Sequence, residues 1–63
     1  MFEKYGDLMT MEDVGEALGV HVVTARRIAR AGGVPAVRIG RRLYVPKTRL
    51  AEMFKEKEAH DEQ

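Results

Sequence analysis

The first hydrophobic pattern with helical spacing begins near the start of the chain. Apolar residues Val14, Ala17 and Leu18 fall at positions i, i+3 and i+4, which places them on one face of an α-helix. Thr10 can cap the N-terminus of this helix, because its hydroxyl can accept a hydrogen bond from a free backbone N–H. Gly19 follows the last apolar position, and glycine readily adopts the left-handed conformation that ends helices. The pattern predicts a short helix between Thr10 and Gly19.

The same spacing recurs directly afterwards. Ala25, Ile28 and Ala29 form a second apolar stripe, which predicts a helix over about residues 21–31, ended by a pair of glycines. Two short helices joined by a glycine-containing turn are typical of a helix-turn-helix, whose second helix enters the major groove of DNA. Gly15 lies in the middle of the first helix, where glycine costs about 1 kcal/mol relative to alanine. We therefore expect the second helix to pack closely against it.

Beyond the second helix the hydrophobic period changes from helical to alternating. Apolar residues flank Arg38 in one segment and Tyr44 in the next, which predicts two half-buried β-strands. These apolar residues are Val37 and Ile39 in the first segment and Leu43 and Val45 in the second. Gly40 supplies the turn of a β-hairpin, and Arg41 and Arg42 lie at its tip. In a helix-turn-helix protein such a hairpin is a wing.

A third helical stripe follows the hairpin. Leu50, Met53 and Phe54 repeat the i, i+3, i+4 spacing, and Pro46 suits the start of a helix. The fold class that we expect is mainly α with a small β-hairpin, a winged helix-turn-helix in the order α-α-β-β-α. The expected division of the chain is an N-terminal segment at residues 1–9, a winged-helix DNA-binding domain at residues 10–58 and a polar tail at residues 59–63.

The basic residues are concentrated in the middle of the chain. Residues 1–19 carry one lysine and five acidic residues, and residues 50–63 carry two lysines and five acidic residues. Residues 20–49 carry eight basic residues and no acidic ones, so the net charge of +1 conceals a strongly polarised chain. The eight are Arg26, Arg27, Arg30, Arg38, Arg41, Arg42, Lys47 and Arg49. Such a block is typical of a surface that binds nucleic acid. A membrane surface is less favoured, because the second helix has only a small apolar face.

The composition argues against several classes of protein. The chain has no cysteine and two histidines, so we expect no disulfide, no metal site and no cofactor. Glu12, Asp13 and Glu16 lie on a short exposed helix, where the helix dipole explains them better than acid–base catalysis, so we expect no enzyme activity. No apolar run approaches the roughly 20 residues of a membrane span, and the acidic start is unlike a signal peptide.

Several short motifs stand together between residues 10 and 54. They are Leu18-Gly19-Val20, Thr24, Arg27, Gly32-Gly33-Val34-Pro35-Ala36-Val37-Arg38-Ile39-Gly40-Arg41-Arg42, Val45-Pro46 and Leu50. With these motifs the segment resembles the excisionase-type winged-helix domain of the MerR-like superfamily, and the hairpin is the most specific part of the resemblance. Two positions depart from the family's pattern. His21 replaces a small capping residue, and Arg26 replaces an aromatic residue, so contacts made there do not carry over.

The resemblance implies binding to double-stranded DNA, with the second helix in the major groove and the wing on a flanking backbone or in the minor groove. From their chemistry and their place on the second helix, rather than from the resemblance, the residues expected to face bases are Val22, Val23, Thr24, Arg26 and Arg27. The residues expected to contact phosphates are Arg30, Arg38, Lys47 and Arg49, and those expected at the minor groove are Arg41 and Arg42. The chemistry agrees, because arginine pairs bidentately with guanine, and threonine and valine pack on the thymine methyl group.

Three functions remain open at this point. The first is a phage or mobile-element excisionase, or recombination directionality factor, which directs a site-specific integrase in the cytoplasm of a bacterial host, on the nucleoid. The second is a small winged-helix transcriptional regulator, and the third is a protein-binding adaptor or antitoxin. For an excisionase we expect cooperative self-association on DNA, with the acidic N-terminal segment or tail of one protomer facing the basic wing of its neighbour.

Overall fold

The computed structural model describes the backbone of residues 1–61 and the side chains of residues 1–57. Its elements are strand β1 (Leu8–Met9), helix α1 (Met11–Leu18), helix α2 (Val22–Arg30), strand β2 (Val37–Ile39), strand β3 (Arg42–Pro46) and helix α3 (Lys47–Asp61). The predicted winged helix-turn-helix is confirmed, with β1 as an additional strand before α1. Helix α3 takes in the start of the predicted polar tail, and the last two residues of that tail lie outside the described residues.

The predicted cap of α1 is present. Thr10 Oγ1 accepts a hydrogen bond from the Asp13 amide at 3.0 Å, and the Asp13 carboxylate accepts one from the Thr10 amide at 3.1 Å. This reciprocal pair satisfies two backbone donors that the helix leaves free. At the other end Gly19 adopts the left-handed conformation, with φ 72°. The chain turns there, and the Val20 amide donates to the Gly15 carbonyl at 2.8 Å.

Helix α2 begins at a histidine cap. The Nδ1 atom of His21 accepts a hydrogen bond from the Val23 amide at 3.1 Å, so the ring nitrogen does what the oxygen of a small capping residue would do. The predicted glycine stop is also present, because Gly32 has φ 82° and the Gly33 amide donates to the Ile28 carbonyl at 2.8 Å. Both ends of α2 are therefore fixed by local hydrogen bonds.

The strands form an antiparallel sheet in the order β1-β3-β2. Strand β3 is central, and its Val45 lies opposite Met9 of β1. The hairpin turn consists of Gly40 and Arg41, with φ 62° at Gly40, and Arg42 is already the first residue of β3. A glycine with positive φ at the first turn position suits a two-residue hairpin. Strand β3 therefore ties the wing to the N-terminal part of the chain.

The prediction that both hairpin strands are half-buried is wrong for β2. Val37 is 42% exposed and Ile39 51% exposed, although they alternate as expected. In β3 the prediction is confirmed, because Val45 is fully buried and Leu43 half-buried. The physical reason is that α1 and α3 pack against β3, while β2 is the edge strand beyond it.

The core lies between the three helices and β3. Val14 of α1, Ala25 of α2 and Leu50 of α3 are fully buried, which confirms the three predicted apolar stripes. Among the residues whose side chains the structure describes, the buried hydrophobic set is Met9, Met11, Val14, Ala25, Ala29, Val34, Val45 and Leu50. Every helix and strands β1 and β3 contribute residues to this core. The position of the wing is therefore coupled to that of the helices.

The segment before β1 lies against the domain. The rings of Phe2 and Phe54 are 5.9 Å apart between centroids, in a tilted arrangement. Lys47 donates twice to this segment, from its amide to the Asp7 carbonyl and from Nζ to the Tyr5 carbonyl, both at 2.9 Å. The first residues of the chain are thereby held to α3, and the boundary at residue 10 stays a prediction.

Gly15 lies where α1 meets the turn that leads to α2. A Cβ atom at this position would lie 2.8 Å from the carbonyl oxygen of Val20 and 3.5 Å from the amide nitrogen of Val22. The close approach to Gly15 that the sequence predicts is therefore present. It is made by the backbone of the turn that leads to α2.

Replacing Gly15 with alanine should lower the free energy of unfolding by roughly 1 to 2 kcal/mol, because the overlap with a backbone carbonyl outweighs the helix propensity that alanine gains. Gly6→Ala is the matched control, since a Cβ there meets nothing within 4 Å. Urea unfolding followed by circular dichroism measures both variants. Equal midpoints for the two would show that Gly15 has no packing role.

Glu16 joins the N-terminal segment to α1. Its Oε1 accepts a hydrogen bond from the Tyr5 hydroxyl at 2.7 Å and lies 2.8 Å from Lys4 Nζ. The hydrogen bond from Lys4, then that from Tyr5, and the charge of Lys4 lower the pKa of the Glu16 carboxyl below its ordinary value. Because the unfolded-state pKa is the higher one, this contact stabilises the fold above that pKa, and the stabilisation is lost as pH falls through the folded-state pKa.

In the variant Tyr5→Phe the pKa of Glu16 should move back toward its ordinary value, because one hydrogen bond to the carboxylate is removed. An NMR titration of the Glu16 side-chain carboxyl measures this shift, with Lys4→Met as the companion variant. If neither substitution moves the pKa of Glu16, its carboxylate makes neither the Tyr5 nor the Lys4 contact in solution.

Candidate nucleic-acid interface

Helix α2 presents its arginines on the face opposite the core. Ala25 is fully buried and Ala29 is 8% exposed, whereas Arg26, Arg27 and Arg30 are exposed. Side chains three and four positions apart share a helix face. Because Ala25 and Ala29 occupy the face that packs into the core, the arginines lie on the face toward solvent. The sequence of α2 thus produces one basic, solvent-facing surface.

The N-terminal end of α2 is divided between core and solvent. Val23 is 52% exposed, while Val22 and Thr24 are half-buried. Val22 also packs against the core. Of these three predicted site residues, Val23 is the one that offers a large apolar surface to a ligand.

A cleft of about 230 Å³ lies between α2 and the wing, which we define as residues 37–46. Arg26 and Arg30 line it from α2, and Arg41 and Arg42 line it from the wing. The other lining residues are Thr10, Met11, Glu12, Leu43 and Tyr44. We call this the arginine cleft, because it brings together guanidinium groups from two separate parts of the sequence.

The arginine cleft is electropositive. Its single acidic lining residue, Glu12, has Oε2 4.0 Å from Arg26 Nη2, and both side chains are substantially exposed. An ion pair at this distance in water contributes little. Four guanidinium groups against one carboxylate leave a net positive field, and the planar fork of arginine matches the oxygens of a phosphate. The cleft can therefore hold a segment of a polyanionic backbone.

The remaining predicted basic residues lie elsewhere. Arg27 borders a shallow depression along α2, beside Arg26 and Arg30. Arg38 is exposed on β2. Arg49 lines a groove beside α3 together with two glutamates of that helix. Lys47 is half-buried and bonded to the Tyr5 carbonyl, as described above. We therefore leave Lys47 and Arg49 out of the interface proposed below.

Five cleft residues are absent from the set of site residues predicted from the sequence: Thr10, Met11, Glu12, Leu43 and Tyr44. Thr10 and Glu12 are recognisable in the sequence as the start of α1, and Tyr44 as a strand residue. Nothing local signals that the start of α1 faces the wing, because their proximity depends on the pairing of β1 with β3.

Two other kinds of feature are absent from the described residues. These residues contain no group of three or more His, Asp or Glu side chains placed to hold a metal ion. Among the helices in this part of the chain, none has the length and apolar character needed to cross a membrane.

The model of one protein family, described as a helix-turn-helix domain, matches residues 8–58. The chain belongs to this helix-turn-helix domain family. The family is a DNA-binding and non-catalytic kind of domain, and membership supports sequence-specific binding of double-stranded DNA. Comparison with curated proteins and with solved structures gave no significant match.

The helix-turn-helix domain should lose affinity for duplex DNA steeply as salt rises. Each neutralised phosphate contributes a slope of roughly −0.9 in log K against log salt, so four phosphate contacts from the whole basic surface should give a slope of about −4. Arg42→Ala should make the slope shallower by about one unit. Fluorescence anisotropy titrations at several salt concentrations measure this.

Arg49→Ala is the matched control, since it removes the same charge outside the arginine cleft and should leave the slope unchanged. A nearly flat salt dependence, or equal effects of Arg42→Ala and Arg49→Ala, would contradict the assignment of the cleft to phosphates.

Proposed function

We propose that the chain binds duplex DNA with α2 in the major groove and the wing against the flanking backbone and minor groove. The observation that carries this proposal is the arginine cleft, in which α2 and the wing share one electropositive surface. A DNA backbone that borders the major groove occupied by α2 passes through this cleft. The guanidinium groups of Arg30 and Arg42 then bind phosphates from opposite sides.

Base recognition falls to the exposed face of α2. Arg26 and Arg27 point away from the core and can pair bidentately with guanine, and Val23 can pack on a thymine methyl group. Glu12 beside Arg26 limits the rotation of that side chain only weakly, because the contact is long and exposed. Arg41 at the hairpin turn suits a narrow minor groove, where the negative potential is strongest.

The biological role that we propose is that of an excisionase that redirects a site-specific integrase toward excision. The support is the resemblance of residues 10–54 to excisionase-type domains, strongest over the wing. A second support is energetic. A single module of this kind buries only about 600 to 1,000 Å² on DNA, so firm occupancy requires neighbouring protomers or an integrase.

The charge distribution offers a way for protomers to assemble on DNA. Exposed acidic residues Glu3 and Asp7 lie in the N-terminal segment, and Arg41 and Arg42 lie in the wing. On adjacent binding sites, the acidic segment of one protomer can face the basic wing of the next. This head-to-tail arrangement gives cooperative binding by a chain that is monomeric off DNA.

Substitutions should separate residues that read bases from those that position the protein. Arg27→Ala should cost about 1 to 3 kcal/mol on the preferred site and reduce discrimination between sites. Arg38→Ala should weaken binding to all duplexes by the same factor. Competition titrations with specific and random DNA measure both effects, and an equal loss on both DNAs for Arg27→Ala would refute its role in recognition.

Two measurements test the excisionase role. In a recombination assay with the partner integrase, the chain should be required for excision and dispensable for integration. On DNA with one, two or three adjacent sites, cooperative filling should appear with the second site and weaken in the double variant Glu3→Gln, Asp7→Asn. Glu52→Gln on α3 is the control for loss of an exposed acid.

A different result would support the regulator. If the chain leaves excision unchanged, fills tandem sites independently and forms a stable dimer in solution, the excisionase proposal is wrong. The salt-dependence and competition titrations test the DNA-binding proposal independently of this result.

A further inference from the structure

One face of the sheet is largely apolar and partly exposed. In an antiparallel sheet, residues directly opposite each other share a face, and positions two apart along a strand share it as well. The register places Leu8 opposite Pro46, Val37 opposite Tyr44 and Ile39 opposite Arg42. We call this the outer face, formed by Leu8, Val37, Ile39, Arg42, Tyr44 and Pro46.

The two faces of the sheet differ sharply in burial. Met9 and Val45, which belong to the inner face, are fully buried in the core. On the outer face Leu8 is 46% exposed, Val37 42% and Ile39 51%. The alternation of apolar residues in β2 therefore buries neither Val37 nor Ile39 within the described part of the chain.

The edge of β2 is open as well. The two-residue turn makes Ile39 and Arg42 the hydrogen-bonded pair that flanks it, and such pairs alternate along antiparallel strands. Arg38 and Leu43 are then the pair without mutual backbone hydrogen bonds. The N–H and C=O groups of Arg38 consequently point away from β3, toward the free side of the sheet. An open edge of this kind is a template for another strand.

Charge and chemistry decide which occupant fits this edge. A second copy of β2 would bring like charges together, because Arg38, Arg41 and Arg42 surround the strand. DNA fits poorly, since phosphates gain nothing from the apolar Val37 and Ile39. A strand added beside β2 would place apolar side chains next to those two residues and an acidic one opposite Arg38.

We propose that β2 accepts an extended segment of a partner protein, in which apolar residues alternate with Asp or Glu, as a fourth strand of the sheet. Main-chain hydrogen bonds to Arg38 hold the segment. Its apolar side chains cover Val37 and Ile39, and its central carboxylate pairs with the Arg38 guanidinium. The edge of β2 is separate from the exposed face of α2, although Arg42 and Tyr44 of the outer face also line the arginine cleft.

The test uses the full chain and a synthetic capped peptide in which valine alternates with glutamate. Amide NMR spectra should show saturable shifts that centre on Val37, Arg38 and Ile39. Methylation of the peptide's backbone nitrogens on the bonding edge should abolish binding. Arg38→Glu should weaken binding at least about fivefold, because a favourable cross-strand charge pair becomes a repulsive one.

Two controls make the result specific. Arg38→Glu should instead bind a peptide in which valine alternates with lysine, and Arg49→Glu, a charge reversal outside the sheet, should bind the original peptide unchanged. The proposal is overturned if the methylated peptide binds as well as the unmethylated one, or if no shifts appear at millimolar peptide. It is also overturned if Ile39→Thr weakens binding to duplex DNA, which would assign the outer face to DNA, or dissolves a dimer of the chain, which would assign it to a second copy.

Discussion

The close backbone contact between α1 and the turn after it determines the orientation of α2 relative to α1. At Gly15 the turn comes so near that a side chain would meet the Val20 carbonyl oxygen at 2.8 Å, and the Val20 amide closes the contact by donating to the Gly15 carbonyl. With this approach fixed, α2 lays Ala25 and Ala29 into the core and turns its arginines outward. The basic surface of α2 is thus a consequence of how tightly the turn can pack.

The wing is positioned by a different set of contacts. Strand β3 pairs with β1 on one side and with β2 on the other, so the hairpin cannot tilt without disturbing Met9 and Val45, which are both fully buried. The N-terminal segment reinforces this arrangement through Lys47, which binds the carbonyls of Tyr5 and Asp7. The arginine cleft results from the two constraints together, because one orients α2 and the other orients the wing.

Local signals in the sequence predict most of the fold. Thr10, Gly19 and Gly32 act through hydrogen bonds or backbone conformations within a few residues, and so the ends of α1 and α2 can be read from the sequence. The histidine cap of α2 is harder to predict, because an imidazole replaces the usual hydroxyl or amide at His21. Strand β1 is two residues long, too short for any periodicity, and exists only because β3 lies beside it.

The candidate site is less accessible to sequence reasoning. Alternation in β2 indicates a strand but gives no information on whether another layer covers Val37 and Ile39, and none does within the described residues. A count of charges likewise cannot separate Lys47, which holds the N-terminal segment, from Arg42, which lines the arginine cleft. Both distinctions depend on contacts between residues far apart in sequence.

In the proposed complex, α2 and the wing contact one continuous stretch of duplex. The chain contains no cysteine, so a single Arg41→Cys substitution can carry an iron chelate that cleaves nearby DNA. Cleavage is expected on both strands, offset across the minor groove, immediately beside the major-groove bases protected by α2. A chelate attached through Glu52→Cys on α3 should cut far less. Retained DNA binding without cleavage from the wing, or stronger cleavage from α3, would show that the wing does not lie beside the DNA bound by α2.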